Sequence, residues 1–364
     1  MDDKNLEELF GLLDNENFQE ALTRVEKLMK DSGDDPYLHA IKAICLLELD
    51  MDPKKAVAEA KMAYSAQKEP FMKYVLGWAT AVNGDLKEGI KLLNAAVSED
   101  PENIEYLIKL AELHEENDDL QNALKSIIRA QKVSSDDMRL MLLKSGVLNK
   151  LGRHKEAVYE INRAINLAPN FDYAHFLLAQ TYAASGDSGA ARKSLQDAIR
   201  LSSSEHPEYH ELMAEFDLEE ENFVGALTNL DRAISGSSGD EQIGYILEKS
   251  KVLDYSGREN ESLDLIESIY KRDPTNPLVA FGLIDFHSSH KRNAELDKLM
   301  SDMNLSEPIR EIVRFYSGQR NEVDQEGFIK LLSSARDASG DDPFQSEILE
   351  MIIETMITAA SLDG

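Results

Sequence analysis

His287 and His290 stand three residues apart, a spacing at which two imidazoles on one helix face can ligate a metal. No clear third ligand accompanies them, and they read as exposed surface histidines. The stretch HPEYHE, from His206 to Glu211, sets two histidines four apart. It lacks the glutamate directly after the first histidine that a helical zinc hydrolase needs, and Pro207 breaks the helix there. The chain has no phosphate-cradling glycine loop and no nucleophile elbow. A single cysteine, Cys45, excludes an intrachain disulfide and a Cys-based zinc cage, and fits a reducing compartment. The expectation is a protein without catalytic residues, cofactor or bound metal.

The chain carries 39 basic and 68 acidic side chains, a net charge of −29 over 364 residues. Phosphate backbones and anionic lipid surfaces repel such a protein, so neither nucleic acid nor membrane is an expected partner. The N-terminal MDDKNLEELFGLLDNENF lacks a basic segment followed by a long apolar one, so it does not read as a signal peptide. No stretch reaches the ~18 consecutive apolar residues of a membrane span. A soluble, cytoplasmic protein is expected.

The elements behind these residues follow from composition and periodicity. Hydrophobic residues make up 42% of the chain, helix formers dominate and there are only 10 prolines, which points to an all-α fold. Small residues form a ladder: Gly89, Ala123, Ala157 and Ala191 are separated by 34, 34 and 34 positions. Ala21 and Ala56 extend it on one side, Ala226 and Ser262 on the other. Seven residues after each rung comes Leu28, Ala63, Ala96, Ala130, Ala164, Ala198, Ala233 or Ile269, with a mostly large apolar residue such as Ile161 between. Twelve residues before the first ladder lies a third register, Gly77, Ala111, Ser145, Ala179, Ala214 and Ser250. Small residues at helical spacing let two helix axes approach closely. Glycines at 84, 152, 186 and 257 break the chain between registers, where a helix ends in a left-handed residue. The unit is a helix, a short turn, a second helix and a turn of Asp/Pro/Asn character.

With this period, these small residues and the prolines at 101, 169 and 274, the sequence resembles the tetratricopeptide-repeat family. The resemblance implies an α-α superhelix of about eight helix-turn-helix repeats over 1–276, in units of about 2–36, 37–69, 70–103, 104–137, 138–171, 172–205, 207–240 and 243–276. Degenerate helical repeats would follow over 277–339 and a capping helix over 340–364. Asp342 would cap that helix, with Pro343 at its first position, and Phe344, Ile348, Ile352, Ile353, Met356 and Ile357 would share one face. Lys73, Leu107, Met141, His175 and His210 replace the family's aromatic at the fourth position.

The resemblance also implies that the first helix of each unit lines a concave groove. Carried over position by position, it puts Phe71, Tyr74, Trp78 and Val82 there from the third unit, and Leu38 and Ile41 from the second. Tyr173 and Phe176 come from the sixth, and Arg139 from the fifth. Glu112 and Glu116 come from the fourth, and Glu211 and Glu215 from the seventh. Trp78 is the only tryptophan, and aromatic anchors dominate binding energy at interfaces. The glutamates either form solvated faces or select a basic segment beside an apolar anchor, speeding encounter and setting register. The basic clamp by which some family members hold chaperone tails is absent, since Trp78, Ile108, Glu112 and Leu142 stand in its place. The expected function is a non-enzymatic protein-protein interaction scaffold (adaptor, assembly factor or co-chaperone-like) holding a partner segment in its groove. The alternative is a peptide- or ligand-sensing regulator acting on a separate effector.

Overall fold

The computed structural model describes residues 3–32, 35–319, 325–340 and 342–362, and among them are 21 helices and no strand. The chain divides into two compact units, Met1–Ser194 and Leu195–Gly364. The first contains α1 Asp3–Asp14, α2 Phe18–Ser32, α3 Pro36–Glu48, α4 Pro53–Ala66, α5 Pro70–Val82, α6 Leu86–Glu99, α7 Ile104–Glu116, α8 Leu120–Val133, α9 Met138–Lys150, α10 His154–Leu167 and α11 Asp172–Ala184. The boundary falls within α12 Ser188–Leu201. The second unit continues with α13 Pro207–Glu219, α14 Phe223–Gly236, α15 Gly239–Tyr255, α16 Glu259–Arg272, α17 Pro277–Ser289, α18 Asn293–Asp302, α19 Glu307–Tyr316, α20 Gln325–Ser339 and α21 Pro343–Leu362.

Acidic and amide side chains start many of these helices. Asp52 accepts from the Lys54 and Lys55 N–H groups with Pro53 at the first helical position; Asp85 accepts from Glu88, Asn103 from Tyr106 and Asp119 from Asn122. Each such cap satisfies an N–H that the helix leaves open and contributes about 1 kcal/mol. At the corner between α5 and α6, Gly84 has φ +100°, and the chain closes there with Gly84 N–H donating to the Ala81 carbonyl at 2.8 Å. Only glycine adopts that backbone without strain.

Most consecutive helices pack against each other, and α1, α3, α5 and α7 also touch in succession, forming a row. The small-residue ladders lie where two helices of one hairpin press together. Ala157, Ile161 and Ala164 are all fully buried on α10. Hiding the Ile161 side chain contributes about 1.5–3 kcal/mol, and the flanking alanines let the neighbouring backbone come close enough to do it. Where Gly77 and Gly89 meet on α5 and α6, a methyl group on Gly89 would lie 2.7 Å from the Gly77 carbonyl oxygen. In the second unit the equivalent pair is Ser250 and Ser262, whose buried hydroxyls hydrogen-bond at 2.7 Å. The same close approach is kept by pairing two polar atoms that would otherwise be orphaned.

The second unit closes on α21, which packs against α17, α19 and α20. Asp342 caps it, accepting from the Gln345 N–H at 3.3 Å. Ile348 and Ile352 are fully buried, and Phe344, Ile353 and Met356 pack against the same core. Ile357 does not share that face: it is 64% exposed, although Met356 just before it packs on the core. No helix among the described residues is long and apolar enough to cross a membrane.

Candidate partner-binding groove

The row of first helices in the Met1–Ser194 unit carries a concave groove of about 620 Å³. Its floor is aromatic. From α5, one face presents Phe71, Tyr74 and Trp78, at helical spacings of three and four; Phe10 reaches it from α1, Phe18 from α2 and Tyr106 from α7. All of these rings but Phe18, together with Tyr37, form a continuous contact chain across four helices. Phe71 meets Phe10 edge-on at 5.7 Å and stacks with Tyr37 of α3 at 6.0 Å and with Tyr74 at 6.3 Å. Tyr74 in turn stacks on Tyr106 at 4.9 Å and tilts against Trp78 at 6.1 Å. Contacts of this kind contribute about 0.5–1.5 kcal/mol each beyond buried area, so the floor is stiff before anything binds.

Its rim is acidic. Asp14, Glu16, Glu48 and Glu105 line the groove, against one guanidinium, Arg139. Arg139 is already engaged, donating at 3.0 Å to both Glu105 and Asp137. The field of these carboxylates is felt by the floor. Burial raises the Tyr74 hydroxyl's pKa well above the ordinary phenol value, and Glu105, Glu112 and Glu48 raise it further. Burial likewise pushes Tyr106 up to about 12, so both phenols stay protonated. Partial desolvation raises the Glu48 carboxyl; Lys109 opposes this, and Glu112 and Glu16 reinforce it.

The groove unites only some of the residues singled out in the sequence. Phe71, Tyr74, Trp78 and Arg139 converge, with Glu112 beside them through its 2.6 Å ion pair to Lys109. Trp78, however, is only 7% exposed: it belongs to the same buried cluster as Ile44 and Val75, Tyr74 lies against it, and the Lys109 ammonium sits 4.3 Å from its ring centroid. Leu38 and Ile41 do not face the groove: both are fully buried against Leu9, Ala21, Val25 and Cys45, as befits apolar side chains between two hairpins. Phe176 is also buried, while Tyr173 beside it and Val82 are 44% exposed and lie outside the groove. Glu116 is exposed on α7. Glu211 and Glu215 belong to the second unit, where the Tyr245 hydroxyl donates at 3.4 Å to Glu211.

Tyr106 had a signal that spacing could have revealed: it recurs 35 positions after Phe71, which itself follows its stacking partner Tyr37 by 34. Phe10, Phe18 and Lys109 carry no such mark. The histidine pair is not exposed either. His287 is 7% exposed, and His290 stacks on Phe286 at 4.3 Å while its Nε2 lies 3.0 Å from Asp254. Among the described residues no group of three or more His, Cys, Asp or Glu is placed to hold a metal ion.

Residues 108–171 and 148–216 each match a family model described as tetratricopeptide repeat. The human IFIT1 dimer, solved with PPP-AAAA, superposes with a TM-score of 0.57 at 16% identity, covering 82% of this chain and 71% of that one. A tetratricopeptide repeat protein from Parabacteroides merdae gives 0.52 at 15% identity, covering 68% and 97%. No curated protein matches the chain. The class is that of helical-hairpin repeat proteins. Within it, residues 108–216 match the tetratricopeptide repeat, whose units generally mediate protein-protein interaction.

Proposed function

We propose that the chain is a non-enzymatic scaffold whose N-terminal groove holds a segment of another protein. The observation that carries this reading is the pairing of an aromatic floor with a carboxylate rim whose one guanidinium is already engaged by Glu105 and Asp137. An aliphatic or aromatic side chain of the partner seats against Phe71 and Tyr74, where burial drives binding. Lysine or arginine residues flanking that anchor face Glu16, Glu48 and Glu105, which fix register and reject acidic segments. A phosphorylated or nucleic-acid ligand fits poorly, because its charge would meet four carboxylates; the PPP-AAAA of the human relative's structure is therefore not carried over. An adaptor or assembly role suits such a surface, which needs no reactive group.

The test is affinity capture from native lysate with wild type, Phe71→Ala, and the charge reversal Glu16→Lys/Glu48→Lys. Proteins retained by wild type and lost from both variants support the groove. Identical recoveries from all three overturn it.

A further inference from the structure

We propose that Lys109 is a built-in competitor for this groove: its ammonium holds the face of Trp78 that a partner's lysine or arginine takes on binding. This rests on the groove reading above and adds how the Trp78 face of the groove is kept covered and what uncovers it. The ammonium lies 4.3 Å from the Trp78 ring centroid and 2.6 Å from the Glu112 carboxylate. A cation centred over an indole at that range is attracted by the ring's negative face. The two contacts differ in kind. Glu112 is three residues along the same helix and stays within reach of the Lys109 ammonium when that side chain rotates; the indole is on α5, so that contact is lost.

Trp78 lines the groove and yet is nearly sealed, with Lys109 as the movable part of its cover. The Lys109 side chain retains 20% exposure and Glu112 retains 41%, so neither is locked in a dry core. Lys109 also acts on the Glu48 carboxylate at the rim. Exchanging its ammonium for a partner's cation leaves the charge over the indole and beside the carboxylates unchanged. A neutral side chain making the same displacement would strip the indole of its cation. The groove thereby selects a cationic residue next to the anchor, beyond what the rim carboxylates achieve by attraction alone.

The test uses two blocked dipeptides, acetyl-Phe-Arg-amide and its neutral isostere acetyl-Phe-citrulline-amide, with affinities measured by calorimetry. Trp78, the sole tryptophan, reports on the cover through acrylamide quenching. Lys109→Ala is expected to increase quenching in the free protein. It should tighten the arginine probe about fivefold and leave the citrulline probe unchanged. Lys109→Arg keeps the charge but stacks more firmly on the indole, and should bind the arginine probe more weakly than wild type. Lys150→Met removes a charge from α9 that pairs with Glu115 at 2.9 Å, and should behave as wild type. Equal affinities in wild type, Lys109→Ala and Lys109→Arg, or the same gain from Lys150→Met, overturn the competitor; if Phe71→Ala still abolishes binding, the groove reading stands. Failure of both probes with every variant, or full binding by Phe71→Ala, removes both.

Discussion

Gly77 and Gly89, twelve residues apart, bring the backbones of α5 and α6 into direct contact: a methyl group on Gly89 would meet the Gly77 carbonyl oxygen and the Ala81 methyl, each at 2.7 Å. No flexible side chain stands there to yield, so the hairpin itself must open. Gly89→Ala is therefore expected to cost about 1–3 kcal/mol despite the better helix propensity of alanine. Gly146, in the middle of α9, has open space where its Cβ would be. There the same substitution should stabilise by about 0.5–1 kcal/mol. Urea midpoints of the two variants check the contrast, and equal shifts would contradict it.

The corner between α13 and α14 ends in Glu221 at φ +58°, where the corner between α5 and α6 has Gly84. A glutamate in the left-handed region suffers a clash between its Cβ and the carbonyl that glycine lacks. The Glu221 side chain is exposed, so nothing offsets that strain. Glu221→Gly should raise stability by about 1 kcal/mol, read as a higher thermal midpoint.

Glu248 on α15 sits near Glu211 and Glu215 of α13. Desolvation, then the charges of Glu211 and Glu215, raise its pKa to about 7 from the ordinary 4.5, with Lys251 opposing. The folded state thus holds a proton that the unfolded chain releases between those values. Stability falls as pH rises through that window, because folding must then strip the proton or bear the charge. Glu248→Gln should match wild type at pH 4 and exceed it in stability at pH 8, with the difference growing between. A constant offset across the range would contradict the shift.

The hairpins were legible in the sequence because they depend on local signals: a 34-residue period, small residues at fixed registers, and prolines after the second helix. The groove was legible only in part. Periodicity assigns a residue to a helix face, and on that basis Phe71, Tyr74 and Arg139 were found. It cannot say how far a neighbouring repeat covers that face. Leu38 and Ile41 stand at groove-lining positions and yet are buried by α1 and α2, while Trp78 is covered by a lysine from the next hairpin. The same gap hid the true surroundings of His287 and His290, which Phe286 and Asp254 enclose.

The most direct test of the binding groove is selection of a random peptide library on the wild-type protein, with Phe71→Ala as the counter-selection. Enriched sequences should pair an aromatic or large aliphatic residue with a neighbouring arginine or lysine, and should lose affinity for the Phe71→Ala and Glu48→Lys variants. Enrichment of acidic sequences, or of sequences that bind the Phe71→Ala protein equally well, would contradict a groove that grips a basic segment on its aromatic floor.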